Sequence, residues 1–443
     1  MLHKNVKRRA LKFVFWTAVV IVGCYFIWAF GEEKSAAFDL SAIHSMGIPT
    51  SILEYRKSVP REGSNSGVVY EAAIKSYGQL SSDDRDKFET LFASNGKFPA
   101  KWPKEQAVHI DQLLGREATL FRQAGASGWA DFGEQPGRLP SLSESDQRWL
   151  ALRFGVFAIL ISPSAQKDPG DVAFNQIFYA DRVAAAEWSG GLGCFEVGGG
   201  IGLDEIVVDH WRQLVNSGSD DPTTLAAASR VLDRLPPLPT LQQITNSEFV
   251  SGLWRCDHYP QYSRDSMSQE AELRPLTSTE RLESAFGETR LADAKRKKFY
   301  VSEWREVYEH LPKNPEDLKG YEDALSKAEK DHPYQWYVDE ADQIYYIDPP
   351  LEIRTEALAS RRMAKVALAI LQERLRTGQL PSAMPNLGGD STDPFSGKPL
   401  IYKRKAGGFI LYSVGFDGKD DGGRPGGVSK EAPSDVVQEY AAG

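Results

Sequence analysis

The sequence predicts a mainly α-helical protein with an N-terminal transmembrane helix, a helical-hairpin ectodomain and a small C-terminal β-hairpin closed by an Asp/Gly-rich loop. Three observations lead to this prediction. An uncharged apolar run occupies residues 13–30. Apolar residues at helical spacing, interrupted by turn signals, fill most of residues 67–350. Two short apolar and aromatic segments flank a Gly-rich turn between residues 400 and 414.

The apolar run (FVFWTAVVIVGCYFIWAF) is close to the roughly 20 residues that span a bilayer. A cleaved signal peptide has an apolar region of only about 7–15 residues, followed by small residues. This run is longer and ends in bulky residues, so we expect an uncleaved anchor, with cleavage as the alternative. Basic residues dominate segment 1–12, and Glu32 and Glu33 follow the run. The positive-inside rule therefore predicts a cytoplasmic N-terminus and an extracytoplasmic bulk, as at a bacterial inner membrane facing the periplasm.

Charge and cysteine content narrow the function classes. The chain carries 52 Lys/Arg and 61 Asp/Glu, and five of the basic residues precede the anchor, so the remainder has a formal charge of −14 against −9 for the whole chain. This balance argues against nucleic acid as a partner. There is no CxxC, HExxH or Cys/His cluster in the sequence. Cys194 and Cys256 lie outside the anchor, and we expect either a disulfide between them or two separate buried thiols.

Residues 31–66 are predicted to be a stalk, because they mix polar residues with Pro49, Pro60 and Gly63. The helical ectodomain follows over residues 67–350. Its helices are expected at 68–80, 85–93, 104–124, 143–160, 171–188, 204–216, 223–235 and 239–254, with further helices over 277–330 that are broken at Pro312 and Pro315. No fixed repeat is visible, so an irregular helical-repeat array and a compact all-α domain are both open. Such helical surfaces usually bind proteins or peptides, and we expect a protein partner.

A glycine-rich run, Gly198-Gly-Gly-Ile-Gly202, is expected to precede a helix whose first turn holds Asp204 and Glu205. A glycine-rich turn at a helix N-terminus can hold phosphate. Here helices flank the run, and carboxylates occupy the place that phosphate would take. Tight helix packing or a flexible joint is therefore the favoured interpretation. Asp209 and His210 follow on the same helix, for which a solvated face is the favoured interpretation.

The predicted β-hairpin has strands at 400–404 and 409–414, joined by a turn that contains Gly407 and Gly408. Asp417, Asp420 and Asp421 then fall within five positions, with glycines between and after them. Carboxylate and carbonyl oxygens on a flexible loop are ligands that suit calcium. The alternative is a solvated Asp-Gly turn that holds no metal. Residues 424–443 are predicted to be a flexible tail.

Three motifs occur in a fixed order at this end of the chain. A long helix over 352–377 leads into Gly378-Gln-Leu-Pro381, followed by Asp393-Pro-Phe-Ser-Gly-Lys-Pro-Leu-Ile-Tyr402 and then Tyr412-Ser-Val-Gly-Phe-Asp-Gly-Lys-Asp-Asp-Gly-Gly423. This order resembles the globular end of the major pseudopilin of type II secretion systems, over about residues 355–423. The resemblance implies a helix-plus-hairpin module over 351–423.

By the same resemblance, the closing loop binds calcium through Asp417 and one or both of Asp420 and Asp421. The chain departs from the family elsewhere: it shows no short leader ending in Gly, and no Glu lies within the apolar run. We therefore expect that it does not enter a pseudopilus by the usual route. Its layout resembles large bacterial membrane-anchored proteins of unassigned function that share this ending.

The sequence thus predicts a single-pass envelope protein whose ectodomain has a binding or structural, non-enzymatic role, linked by analogy to a secretion or pilus-like system. A membrane-anchored extracytoplasmic hydrolase that uses carboxylates of the helical region is the alternative. No residue is assigned a catalytic role from the sequence.

Overall fold

A computed structural model of the chain describes residues 2–59, 67–83, 115–116, 118–126, 142–161, 171–258, 289–332, 347–425 and 435–441. The expected helix at 85–93, most of that at 104–124 and residues 277–288 lie outside these ranges. The described chain is mainly helical, with one small antiparallel sheet. It divides into two compact units. Unit 1 comprises Met1–Tyr55, Phe249–Leu311 and Glu322–Tyr346, and unit 2 comprises Arg56–Glu248, Pro312–Tyr321 and Ile347–Gly443.

The described helices with defined bounds are α1 (Leu2–Ser45), α2 (Ile52–Ser58), α3 (Gly67–Gly78), α4 (Leu142–Ile161), α5 (Asp171–Gly190), α6 (Cys194–Ser217), α7 (Pro222–Leu232), α8 (Leu241–Asp257), α9 (Arg290–His310), α10 (Leu318–Asp331) and α11 (Asp348–Thr377). The strands are β1 (Ile401–Lys405), β2 (Gly408–Ser413) and β3 (Val436–Ala441). A short 3₁₀ helix, Gly388–Ser391, precedes β1.

The N-terminal apolar run lies within α1, which continues unbroken through the first part of the predicted stalk to Ser45. The segment Val14–Ser45 is long and apolar enough to cross a membrane, and its apolar window is almost entirely unburied. Trp16 is 62% exposed and Ile27 is 75% exposed. A soluble protein seldom leaves so long an apolar face in water, so this helix is compatible with a single-pass anchor or a signal sequence.

The second half of α1 packs against α9 within unit 1. Ala29, Ala36 and Ile43, spaced seven residues apart, are fully or almost fully buried. A seven-residue apolar spacing keeps one seam of a helix facing its partner, as in a coiled coil. The small side chains at the first two positions let the two backbones approach closely.

Paired contacts fix the register of α1 on α9. The Tyr25 hydroxyl accepts a hydrogen bond from the Leu291 N–H at 3.1 Å. Further along the two helices, Glu32 pairs with Lys298 at 2.8 Å and Asp39 pairs with Arg305 at 2.8 Å. The hydrogen bond and the Asp39–Arg305 pair each join residues 266 apart in sequence. Because residue numbers rise together along both helices, α1 and α9 run parallel.

An aromatic cluster fills the core of unit 1. Phe249 lies parallel to Tyr300 with ring centroids 6.1 Å apart, and it also contacts Trp304 and Tyr308. The Tyr300 hydroxyl donates to the Phe249 carbonyl at 3.0 Å. Aromatic pairs of this geometry add to the free energy gained by burying their surface.

In unit 2 the glycine-rich run lies inside α6 rather than before a helix, which corrects the predicted position. A Cβ at Gly199 would lie 2.7 Å from Trp149, and one at Gly200 would lie 2.8 Å from the backbone nitrogen of Trp188. Both distances are too short for a real side chain, so these glycines let α6 pack tightly against α4 and α5. The favoured interpretation of this run, tight helix packing, is confirmed.

Helix α11 is the longest described helix of unit 2. Pro349 lies in its first turn, where a missing N–H has no cost, and Gly378 ends it in the left-handed conformation, with φ of 75°. Its buried stripe runs through Arg354, Ala357, Arg361 and Ala364, at three- and four-residue spacing. Two arginines on the buried stripe of a helix require buried partners.

The predicted β-hairpin is part of a three-stranded antiparallel sheet of order β1-β2-β3. All six residues of β2, the central strand, are buried. Phe409 stands opposite Tyr440 in β3, and the two rings stack at 5.1 Å. Arg212 and Asn216 of α6 donate to the Glu439 carbonyl, and Asn216 also accepts from the Ala441 N–H at 3.1 Å.

The structure differs from the predicted segment boundaries at two places. Residues 436–441 of the expected flexible tail form β3, because backbone pairing with β2 and contacts to α6 hold them. The boundary expected at residue 350 does not separate compact units, since residues 347–443 belong to unit 2 together with residues 56–248.

The packing of β3 predicts unequal effects for two neighbouring residues. Tyr440 is 1% exposed, so Tyr440→Ala should lower the free energy of unfolding by about 3–5 kcal/mol. Glu439→Ala, which removes an exposed side chain from the same strand, should change it by less than about 0.5 kcal/mol. Urea denaturation of both variants measures the difference. Equal midpoints would show that β3 does not pack as described.

Candidate functional site

One cluster of buried charges in unit 2 forms around Arg361 of α11. Its Nε lies 3.1 Å from both carboxylate oxygens of Asp204, and its Nη2 lies 3.0 Å from Oδ1 of Asp181. Its Nη1 donates to the carbonyl of Pro236. Both aspartates are fully buried. The guanidinium therefore joins α11 to α5, to α6 and to the Pro-rich segment after α7.

Burial and mutual contact set the protonation of this cluster. Burial raises the pKa of Asp181 well above its ordinary value, and the neighbouring Asp204 opposes ionisation further. Burial alone would lower the pKa of Arg361, but the two carboxylates outweigh it and raise that pKa. Arg361 thus keeps its positive charge, and the raised pKa of Asp181 limits the negative charge that the cluster has to bury. Such a group is well suited to fixing helices and poorly suited to binding an added cation.

Beside this cluster, two further carboxyl groups lie on α6 and α11. Burial raises the pKa of Glu205 well above its ordinary value, and repulsion from Glu356 and Asp204 adds to the shift. Burial also raises the pKa of Glu356. Among the described residues, Oε1 of Glu205 is shielded from solvent and has no hydrogen-bond partner. The solvated helix face expected here is therefore wrong for Asp204 and for this oxygen of Glu205.

The remaining titratable group singled out on α6 is His210. Burial lowers the pKa of His210 to about 4, against the weaker opposing effect of Asp209. The imidazole is therefore neutral at neutral pH. Asp209 instead accepts hydrogen bonds from Arg212 at 3.1 Å and Gln213 at 2.8 Å. The hydrogen bonds of Asp209 and the burial of His210 indicate a structural role for both residues in α6.

The C-terminal loop is organised by a carboxylate that was not among the predicted site residues. Asp393, which is 1% exposed, accepts hydrogen bonds from the Phe395 N–H, the Ser396 hydroxyl, the Ser413 hydroxyl and the Val414 N–H, at 2.7–3.2 Å. It therefore ties the turn before β1 to the end of β2. The motif Asp393-Pro-Phe-Ser396 is a signal for such a turn, because an Asp side chain can accept from the backbone two residues further on.

The predicted calcium ligands are Asp417, Asp420 and Asp421. Each accepts a hydrogen bond from a nearby residue or lies close to a basic side chain. Asp417 accepts from the Lys419 N–H at 3.0 Å, and Asp420 accepts from the Tyr412 hydroxyl and the Gly422 N–H, both at 2.8 Å. Those hydrogen bonds lower the pKa of Asp420. Asp421 lies 3.9 Å from the Arg424 guanidinium. Within the described ranges, no three His, Cys, Asp or Glu side chains form a group that could hold a metal ion. Calcium binding stays a prediction.

A second carboxylate that the sequence did not indicate closes this loop from the tail. Asp435, next to β3, accepts from the Gly423 N–H at 2.7 Å and from the Asp421 N–H at 3.4 Å. Burial raises the pKa of Asp435, although these hydrogen bonds oppose the shift. Nothing in the local sequence marks this residue, because its partners lie 12 and 14 positions away.

The predicted disulfide stays a prediction. Cys256 is buried in α8, and the side chain of Cys194 lies outside the described side chains.

Comparison with known proteins gives no further assignment. No protein-family model, no curated protein sequence and no solved structure matches the chain. The candidate site therefore rests on its own geometry.

The Arg361 cluster predicts a large loss of stability when the guanidinium is removed. Arg361→Met leaves two buried carboxyl groups without their counter-ion, which should cost about 3–5 kcal/mol. Arg376→Met, which removes an exposed ion pair with Glu373 on the same helix, should have little effect on the free energy of unfolding, because solvent screens the pair. Chemical denaturation compares the two variants. A small effect of Arg361→Met would contradict the structural role of the cluster.

The raised pKa of Glu205 predicts a specific dependence of stability on pH. The native chain binds this proton more tightly than the unfolded chain, whose pKa is about 4.5, so the stabilisation is complete below that pH and falls as the pH rises. Glu205→Gln should therefore raise the melting temperature at about pH 8 and leave it nearly unchanged near pH 4. Glu373→Gln, at an exposed carboxylate whose pKa is lowered by Arg376, should give no rise at pH 8.

Calcium binding is tested by thermal unfolding with calcium and with a chelator. If Asp417 and Asp421 are ligands, calcium should raise the melting temperature, and the double change Asp417→Ala, Asp421→Ala should remove the shift. Asp323→Ala, at an exposed carboxylate of α10, should keep it. Identical unfolding curves of the wild-type chain in calcium and in chelator would disprove the site.

Proposed function

We propose that this chain is a single-pass envelope protein, anchored by α1, whose helical units serve as a non-enzymatic binding or structural ectodomain. The observation that carries the proposal is the exposed apolar surface of α1 between Val14 and Phe30. The basic segment 1–12 and the acidic remainder favour a cytoplasmic N-terminus, with the bulk of the chain in the periplasm of a bacterium.

The pairing of the buried charged side chains in unit 2 supports a non-enzymatic role. Asp181 and Asp204 are bound to Arg361, and Arg354 binds both the Pro239 carbonyl and Glu316 at 2.9 Å. These groups hold helices together and are not open to a substrate. Helices that are held together in this way present a surface that is suited to binding a protein partner.

The C-terminal sheet is the basis for a link to a secretion or pilus-like system. Its Asp393 turn and Asp/Gly loop correspond to the motifs that resemble the major pseudopilins. In this proposal the sheet is a structural end-piece of unit 2, and calcium would add stability to its loop.

A membrane-anchored hydrolase is the second candidate, and Glu205 with Glu356 is the observation that favours it. Two neighbouring carboxyl groups with raised pKa values are a common arrangement for general acid and base chemistry. Hydrolysis of a glycan or peptide panel that is lost in Glu205→Gln, while the melting temperature is kept or raised, would favour the enzyme.

The anchor is tested by fractionation. The full-length chain should stay in the membrane pellet after alkaline carbonate extraction, whereas a variant that lacks residues 2–30 and carries a cleavable export signal should be soluble. A cysteine-reactive, membrane-impermeant reagent should label an introduced cysteine at Glu309 from the periplasm. If expression of the complete sequence instead gives an extractable protein whose N-terminus lies after residue 30, the apolar run is a cleaved signal peptide.

A further inference from the structure

The register between α1 and α9 fixes where α9 lies along the predicted membrane span. Tyr25, five residues before the end of the apolar run, is level with Leu291 in the first turn of α9. With a rise of about 1.5 Å per residue, α9 begins about 8 Å before the apolar run ends. The run and the beginning of α9 therefore overlap along the helix axis.

The overlapping segment has the composition of a membrane–water boundary. Its α1 side carries Phe26, Ile27, Trp28 and Phe30, all more than half exposed, and its α9 side carries basic residues. Lys295 lies 4.0 Å from the centre of the Trp28 ring. Exposed tryptophan beside lysine and arginine is typical of the interfacial layer, where apolar ring surface and a charged group are both stabilised.

Two basic residues of α9, Arg290 and Lys298, lie at this boundary. Arg290 pairs with Glu33 at 2.7 Å and remains 57% exposed, and Lys298 pairs with Glu32 at 2.8 Å and remains 42% exposed. A charged side chain deep in the hydrocarbon is costly, so Arg290 cannot lie far below the headgroups. We call this set of residues, 26–30 of α1 with 290–298 of α9, the interfacial surface.

We propose that the interfacial surface lies in the phospholipid headgroup layer, so that the first turns of α9 bind the membrane directly. The proposal rests on the anchor proposed above. It places the hydrocarbon boundary near Tyr25 rather than at Phe30. Before Tyr25, α1 is helical back to Leu2.

The partner in this proposal is lipid, and two features favour it. The surface continues without a break from the exposed apolar run that the bilayer would cover. Its α9 segment holds five basic residues and one carboxylate, and Arg290 and Lys298 stay exposed although each is paired with a carboxylate of α1, so both can reach the phosphates of the headgroups. Towards the other end of α9, Glu309 is exposed and lies about 28 Å further along the helix than Arg290, beyond the reach of the headgroup layer.

Photo-crosslinking to lipid tests the proposal in the full-length chain. Benzoylphenylalanine is introduced singly at Ile21, Arg290, Lys298 or Glu309, and each variant is reconstituted in nanodiscs of phosphatidylethanolamine and phosphatidylglycerol. All four side chains are partly or fully exposed, so the substitutions should be tolerated. Illumination followed by intact-mass spectrometry detects phospholipid adducts. We expect adducts at positions 21 and 290, fewer at 298 and none at 309.

The four positions separate failure of this inference from failure of the anchor. Adducts at position 21 with none at 290 or 298 would overturn the interfacial surface and leave the anchor intact. Equal adduct yields at 290 and 309 would also overturn it, because α9 would then lie along the membrane. The absence of adducts at position 21 would contradict the anchor itself.

Discussion

Unit 2 is arranged around the guanidinium of Arg361, which binds Asp204 and Asp181 and also the Pro236 carbonyl. An isolated charge in such a place would be expensive to bury, so each member of the cluster requires the others. The three helices that supply these side chains cannot slide past one another without breaking charged hydrogen bonds. The glycines of α6 act with this constraint, because they bring α6 close enough to α5 for Asp181 and Asp204 to share one arginine.

The C-terminal sheet is held against α6 and α11, the helices that supply Asp204 and Arg361. β3 lies between β2 on one side and the side chains of Arg212 and Asn216 on the other, while Gln438 donates to the Ser360 carbonyl of α11 at 3.2 Å. The Asp/Gly loop is closed by Asp393, which precedes β1, and by Asp435, which directly precedes β3. Carboxylates that accept backbone N–H groups explain the glycine-rich composition of this loop, since glycine permits the turns that direct those groups inward.

Unit 1 has a different organising contact, the parallel pairing of α1 with α9. Small side chains along one seam permit the approach, and Lys–Glu and Arg–Asp pairs on its flank fix the register. The same α1 helix carries both an exposed apolar surface and a buried seam. If α1 is an anchor, this pairing fixes the position of α9 along it.

The sequence by itself determined the helical class, the apolar N-terminal helix and the positions of β1 and β2, because each depends on local spacing of apolar residues and on nearby glycines. It located the carboxylates of the Asp/Gly loop but did not indicate that Asp393 and Asp435 accept the hydrogen bonds that organise this end of the chain. The tertiary structure alone decided the Arg361 cluster, whose members are 157 and 180 residues apart, and the pairing of β3. Arg361 could have been suspected from its place on an apolar stripe, but its partners could not. Residues so distant in sequence meet only when the helices between them have packed, and no local pattern encodes that meeting.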